Sequence, residues 1–94
     1  MHARLSTYDG QADELTKGFA AQTDPLEQVD GFRAAYFGVS DSGKAFSLTL
    51  WESEEALERS AERADEMRAS ATQPSGAQIQ SVEHFEITTT AGDA

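Results

Sequence analysis

The alternation of apolar and polar residues predicts a strand followed by a helix at the start of the chain. Residues 2–8 alternate as a short strand, which ends at the turn signal Asp9-Gly10. Helical spacing then runs over residues 11–22, on the apolar positions Ala12, Leu15 and Phe19. Pro25 is expected to block further extension of this helix, because proline cannot continue the helical hydrogen bonding.

Two apolar runs in the middle of the chain predict a β-hairpin. Residues 31–40 (GFRAAYFGVS) and 45–52 (AFSLTLWE) are rich in aromatic and branched side chains, and the polar segment 41–44 (DSGK) separates them. Both faces of the first run carry apolar residues, so this strand is expected to be covered on both sides. In the second run, one face holds Phe46, Leu48 and Leu50, and the opposite face holds Ala45, Ser47, Thr49 and Trp51.

A second helix and a last strand complete the pattern. Ser53 is placed to cap a helix that runs to about Ala71, and the motif at residues 73–76 (QPSG) is expected to end it. Its outer face is expected to carry the ion pairs Glu55–Arg59, Arg63–Glu66 and Asp65–Arg68. Residues 78–88 alternate enough to form a strand. We expect one domain over residues 1–90 and a frayed tail over residues 91–94.

The element order is therefore βαββαβ, the order of the ferredoxin-like α+β fold. This fold is an antiparallel four-stranded sheet with two helices on one face, so nothing from the same chain covers the other face. Exposing apolar side chains there costs roughly 25 cal/mol per Å². The pattern consequently predicts a two-fold symmetric homodimer in which two sheets meet face to face.

Composition narrows the partners of this 94-residue chain. Its 17 acidic and 7 basic residues give a net charge of −10, which excludes the cationic surface that nucleic acids and anionic membranes require. It has no cysteine, so disulfides and cysteine-based metal sites are excluded. No apolar run approaches the ~18–20 residues of a membrane-spanning helix, and we expect a cytoplasmic protein.

The run VDGF at residues 29–32 and the run DSGKAFSLTLWESEEAL at residues 41–57 resemble the antibiotic biosynthesis monooxygenase (ABM)-like family. The most specific piece is Trp51-Glu52-Ser53, which is followed at once by an acidic helix start. Members of this family are small dimeric α+β barrels, and the resemblance extends over nearly the whole chain. The family includes cofactor-independent quinone-forming oxygenases, haem-degrading enzymes and signal-molecule isomerases.

The resemblance implies a ligand pocket between the helices and the sheet. Trp51 and Tyr36 are expected to form its aromatic walls, and Arg33 or Arg4 to lie near an anionic or enolate oxygen of the ligand. Structural alternatives stay open for each of them. Trp51 is equally explained as a core residue at the sheet end, the arginines as partners of nearby acids, and the tyrosine as structural.

His84 is the remaining candidate for this pocket. It lies between Glu83 and Glu86, and a neighbouring carboxylate would raise its pKa and create a proton-transfer pair. The alternative is a solvent-facing strand histidine. Haem-degrading relatives carry a ligating histidine on the second helix, but residues 53–72 contain none, and Met67 is interpreted as core filler.

Two functions remain open from the sequence. The first is a cofactor-independent monooxygenase that acts on a small aromatic or quinol-like molecule. The second is a non-catalytic dimeric domain that binds a ligand or a partner. With two histidines, no cysteine and no HExxH motif, we expect no metal site.

Overall fold

The computed structural model describes residues 1–72 and 76–92, with side chains described at residues 1–69 and 76–92. Residues 73–75 of the expected helix-ending motif, and residues 93–94 of the expected tail, lie outside this part. The elements are β1 (His2–Asp9), α1 (Ala12–Ala20), α2 (Thr23–Glu27), β2 (Phe32–Val39), β3 (Lys44–Trp51), α3 (Glu54–Arg59), α4 (Ala61–Thr72) and β4 (Gln78–Glu86). None of the helices described is long and apolar enough to cross a membrane, and the cytoplasmic location stays a prediction.

The four strands form one antiparallel sheet in the order β2-β3-β1-β4, and the helices pack on one of its faces. This confirms the predicted ferredoxin-like α+β fold. β1 lies between β3 and β4, so each of its residues has a partner on both sides. Arg4, for example, is paired with Thr49 on β3 and with His84 on β4. The central strand therefore places Arg4 where both neighbouring strands and a helix can contact it.

The two faces of the sheet differ in a way that strand alternation explains. The helix-covered face buries polar residues of the central strands, namely Arg4, Ser6, Tyr8, Ser47 and Thr49. The uncovered face carries Phe46, Leu48 and Leu50, with Leu5 beside them on β1. Phe46 is 40% exposed and the three leucines are half-buried. The more apolar face of β3 is thus the one that no described helix covers.

The first predicted helix, over residues 11–22, corresponds to α1, and a short helix that was not predicted, α2, follows it. α1 ends at Ala20, before Pro25, and Pro25 lies in the first turn of α2. A proline is tolerated there because the first N–H groups of a helix have no acceptor within it. Pro25 is therefore not the residue that stops α1, and the sequence prediction was wrong on this point.

The second predicted helix is interrupted at Ser60. Ser53 caps its start as predicted, since its side chain accepts a hydrogen bond from the Ala56 amide at 3.1 Å. At the fourth residue of α3, the Leu57 carbonyl accepts two side-chain hydrogen bonds, from Ser60 Oγ at 2.6 Å and from Arg4 Nη2 at 2.8 Å. Side chains that bond to a helical carbonyl compete with the backbone ladder, which accounts for the break between α3 and α4.

Candidate functional site

A cavity lies between the helices and the covered face of the sheet. From the sheet, its lining includes Arg4, Tyr8, Phe37 and Trp51. From the helix side it includes Arg63, Met67 and Arg68 of α4, and Ser60 between α3 and α4. Its volume is about 40 Å³, whereas pockets for drug-sized ligands measure roughly 300–1,000 Å³. In this conformation the cavity has room for a few water molecules, at ~10–15 Å³ each. A larger ligand requires the side chains at its mouth to move.

Arg4 is the most unusual residue in this cavity. It is only 4% exposed, and its guanidinium donates to Leu57 O at 2.8 Å, to Ser60 Oγ at 3.2 Å and to His84 Nε2 at 3.4 Å. All three acceptors are uncharged, and among the described residues no carboxylate forms an ion pair with Arg4. The sequence alternative of an ion pair with a nearby acid is therefore not what the structure has.

The electrostatic environment of Arg4 reflects this burial. Desolvation lowers the pKa of Arg4, the nearby charge of Arg68 lowers it further, and Asp65 acts in the opposite direction. Hydrogen bonds to a charged group contribute roughly 1.5–3 kcal/mol each, so the three acceptors offset part of the desolvation cost. Arginine nevertheless stays charged in proteins, so the cavity contains a buried positive charge.

Trp51 forms the wall beside Arg4. Its ring centroid lies 5.9 Å from the Arg4 guanidinium, which is within the range of a cation–π contact. Its indole N–H donates to Thr49 Oγ1 at 3.0 Å, and Phe32 packs against its ring edge with centroids 5.6 Å apart. Trp51 is 1% exposed and belongs to a core cluster with Leu57, so it lines the cavity and packs in the core at once.

His84 neighbours the cavity without lining it. Its side chain is exposed, and its Nε2 accepts the hydrogen bond from Arg4, which assigns the proton of the neutral ring to Nδ1. Desolvation lowers the pKa of His84, and the charges of Arg4 and Arg68 lower it further, against an opposing effect of Glu58. The expectation that a neighbouring carboxylate raises this pKa was wrong, because desolvation and the two arginines outweigh the opposing effect of Glu58.

Two predicted pocket residues lie elsewhere. Tyr36 pairs with Leu48 on β3, which places it on the uncovered face of the sheet, 39% exposed. Arg33 is exposed on β2 at the irregularity between Phe32 and Ala34. Of the five residues proposed from the sequence, the structure thus brings Arg4 and Trp51 together, puts His84 behind Arg4, and separates Tyr36 and Arg33 from the cavity.

Sequence reasoning missed two arginines of the site. Arg63 and Arg68 line the cavity from α4, although the charge pattern assigned them to the outer helix face. The pair Asp65–Arg68 does form, but the Arg68 side chain is only 12% exposed. The signal was their spacing around the small and apolar residues Ser60, Ala64 and Met67, which puts the arginines at the border of the inward face.

The chemistry available in the cavity is anion binding. Among the described residues that line it, three are arginines and none is aspartate, glutamate or histidine. Within the same part of the chain, no group of three or more potential ligands could hold a metal ion. The cavity can therefore hold and stabilise a negative charge, while none of its described lining side chains is a carboxylate or imidazole base.

Fold and cavity define an α+β protein with a small, arginine-lined cavity between helices and sheet, and comparisons give the family. Residues 1–73 match the family Antibiotic biosynthesis monooxygenase (ABM), and the chain belongs to it. No curated protein sequence matches significantly.

Several solved structures share the fold. The haem degrader MhuD of Mycobacterium tuberculosis, with two haems bound in its active site, is 26% identical; the match covers 98% of this chain and 100% of MhuD, with a TM-score of 0.75. SnoaB, a cofactor-independent oxygenase of Streptomyces nogalater, is 13% identical over 98% and 97% of the chains, with a TM-score of 0.76. A Streptomyces coelicolor monooxygenase in complex with nanaomycin D is 17% identical over 99% and 92%, with a TM-score of 0.71. At the last two identities, the likeness shows the fold alone.

The contact between Arg4 and His84 makes the stability of the protein pH-dependent. Because the folded pKa of His84 lies below its unfolded value near 6.5, the unfolded chain binds the proton first as pH falls. Stability should therefore fall as pH drops through about 6.5, and level off below the folded pKa. NMR titration should give His84 a pKa below the ordinary histidine value near 6.5.

Matched variants separate this effect from general acid sensitivity. His84→Gln should flatten the pH dependence of the melting temperature near pH 6.5. Arg68→Gln should move the pKa of His84 upward, because one of the cations that depress it is gone. A His84 pKa at or above 6.5 in the wild-type protein would contradict the assigned contact.

Proposed function

We propose that the chain binds a planar aromatic molecule in ionised form between its helices and sheet, and oxidises it with O₂ without a resident cofactor. The observation that carries this proposal is the buried guanidinium of Arg4, which lies beside the Trp51 ring with no carboxylate partner among the described residues. The description of SnoaB as a cofactor-independent oxygenase supports the same class of reaction.

Arg4 suits the charged oxygen of such a ligand, and Trp51 suits its flat ring. The guanidinium of an arginine has five N–H groups. In Arg4, three of them donate to Leu57, Ser60 and His84, and the other two are available to a ligand oxygen. The indole N–H of Trp51 is already bonded to Thr49, so Trp51 offers ring surface and no hydrogen bond. A flat ring can stack there while its phenolate or enolate oxygen meets the guanidinium.

The proposed oxidation balances without any further reagent. The ring carbanion, formed when a ring CH₂ group loses a proton, gives electrons to O₂. One oxygen atom ends in a new ring carbonyl, and the other leaves as water with the two hydrogens of the CH₂ group. The protein contributes the fixed positive charge that favours the anion and a site from which water is displaced.

Entry of the ligand requires the mouth to widen. Arg63 is exposed and Met67 half-buried on α4, and both have long unbranched side chains. Methionine repacks at little cost because of its flexible thioether. The small neighbour Ala64 leaves space for such movement, so that the walls formed by Trp51 and Arg4 can stay in place.

Haem does not fit this site. Residues 53–72, which include α3 and α4, contain no histidine, and Nε2 of His84 is engaged by Arg4 outside the cavity. Met67 packs against the core cluster of Trp51. We therefore do not extend the activity of MhuD to this chain.

A non-catalytic ligand-binding domain is the second candidate. The observation that favours it is the lining of the cavity, where the described residues include no carboxylate and no imidazole to remove a proton. A ligand that arrives already ionised needs no such base. Oxygen uptake with an ionised aromatic enol that carries a ring CH₂ group distinguishes the two functions, since only the oxygenase consumes O₂ above the uncatalysed rate.

We also propose that two chains pair through the uncovered sheet face. Leu5, Phe46, Leu48 and Leu50 form an apolar stripe there, and Tyr36 and Phe85 extend it, both partly exposed. Burying such a stripe gains roughly 25 cal/mol per Å² of apolar surface. A second copy of the chain is complementary to it by two-fold symmetry.

Sedimentation tests the dimer. At micromolar concentration the protein should have twice the mass of one chain, and it should keep it in 1 M salt, because apolar contacts are not screened. Leu48→Glu should give a folded monomer, and Ala61→Glu, at an exposed site on α4, should remain a dimer. A wild-type monomer with a cooperative melt would rule out the proposed pairing.

Trp51→Phe tests the ligand site. Loss of ring area should weaken binding of 2-hydroxy-1,4-naphthoquinone, an anion at neutral pH, about tenfold, since stacking and burial are worth roughly 1–3 kcal/mol. Calorimetry measures this without relying on tryptophan fluorescence. Because Trp51 also packs in the core, we expect a stability loss of about 1–3 kcal/mol.

Phe32→Leu is the matched control. Phe32 packs against the core side of Trp51 but does not line the cavity, so this variant should melt lower and bind the quinone as the wild type does. If the wild-type protein binds no planar ligand, Trp51 is a structural residue and the proposed site is wrong.

A further inference from the structure

The charge around the cavity is opposite to that of the whole protein. The chain has a net charge of −10 and only five arginines, yet Arg4, Arg63 and Arg68 all line this cavity. Asp65 is the carboxylate paired with one of them, and it lies outside the lining. Among the described residues, the lining thus carries three cations and no carboxylate, which Arg4 alone does not explain.

Arg68 already binds a carboxylate. Its guanidinium donates to Asp65 Oδ1, and while the Arg68 side chain is 12% exposed, that of Asp65 is 73% exposed. Because the Asp65 side chain lies largely in solvent, it can leave Arg68 and give way to another carboxylate. The pair shows where a carboxylate can lie against Arg68, at the edge of the cavity.

Arg63 adds a second cation on the same helix. The expected pair with Glu66 is absent: among the described residues, no carboxylate lies within 4 Å of the Arg63 guanidinium. The two arginines flank Ala64 and Met67, the small and flexible residues at the mouth. An anionic group between the arginines would thus lie in front of a cavity whose inner wall is Trp51.

We propose that Arg63 and Arg68 form a carboxylate-binding mouth, and that the natural ligand is an aromatic carboxylic acid. This inference rests on the proposed function and narrows its ligand class: the ring lies toward Trp51 and the ring oxygen toward Arg4, while a carboxylate of the same molecule replaces Asp65 on Arg68. Paired arginine–carboxylate hydrogen bonds then fix the orientation of the ring.

Two isosteric probes test the mouth directly. 2-Naphthoate carries the carboxylate, and 2-naphthamide has the same shape without the charge. Calorimetry or quenching of Trp51, the only tryptophan, should give a tighter dissociation constant for naphthoate. Arg63→Gln and Arg68→Gln should each weaken naphthoate about threefold to tenfold, as expected for loss of one charge-assisted contact, and leave naphthamide unchanged.

Asp65→Asn provides a gain of function. Removing the competing carboxylate should tighten naphthoate about threefold or more, with no effect on naphthamide, and an exposed site carries little risk to folding. Arg59→Gln is the control, because Arg59 is an exposed arginine on α3 that does not line the cavity. It should leave the affinity for both probes as in the wild type.

The outcomes separate this inference from the function on which it rests. If both probes bind and the substitutions at Arg63, Arg68 and Asp65 leave their affinity ratio unchanged, the carboxylate mouth is overturned while the aromatic site stands. If neither probe binds at millimolar concentration, the aromatic site and the mouth both fail. A shift of the ratio in the directions given above supports the mouth.

Discussion

The guanidinium of Arg4 is the group around which the covered side of the sheet is arranged. It extends from the central strand to the carbonyl of Leu57 and the hydroxyl of Ser60, and thereby ties β1 to the point where α3 ends and α4 begins. The break at Ser60 gives α4 its own start beside the sheet. Arg63, Met67 and Arg68 then line the cavity from that helix. The Arg4 side chain is thus connected both to the start of α4 and to the residues of α4 that line the cavity.

A buried charge of this kind is costly unless something compensates it. Taking an ion out of water costs several kcal/mol even after relaxation, and the three acceptors of Arg4 are neutral groups. Arg68 adds a like charge nearby. The free protein therefore holds an electrostatic imbalance on the covered side of the sheet, which an anionic ligand would relieve. In our account, the anionic ligand binds because its charge compensates that of Arg4.

Much of the fold could be predicted from the sequence, because strand alternation and helical spacing are local. Alternation also divided β3 correctly into two faces, but it does not say which face the helices cover. Phe46, Leu48 and Leu50 look like the inner face, and in the structure they are the outer one. The polar face is inside because its hydroxyls have hydrogen-bonding partners there, the Tyr8 hydroxyl for Ser47 and the Trp51 indole N–H for Thr49.

The same limit of local patterns explains which residues of the candidate site could be predicted and which could not. Trp51 could be found because it follows an unambiguous strand. Tyr36 could not be excluded, since its face depends on its register with Leu48. The sequence did not reveal Arg63 and Arg68, because an i,i+3 pattern of opposite charges normally marks a solvated helix face. Only the packing of α4 against α1 and β4 shows where that face points.

NMR of the arginine side chains tests the central claim that Arg4 is a buried cation that binds an anionic ligand. The Nε–H of Arg4 donates to His84 in a buried site, so it should give a separate, slowly exchanging signal in the free protein, assigned by its loss in Arg4→Lys. Addition of 2-hydroxy-1,4-naphthoquinone should shift this signal in proportion to the bound fraction. An Arg4 signal that exchanges as fast as those of the exposed arginines, or that stays in place while the quinone binds, would contradict the account.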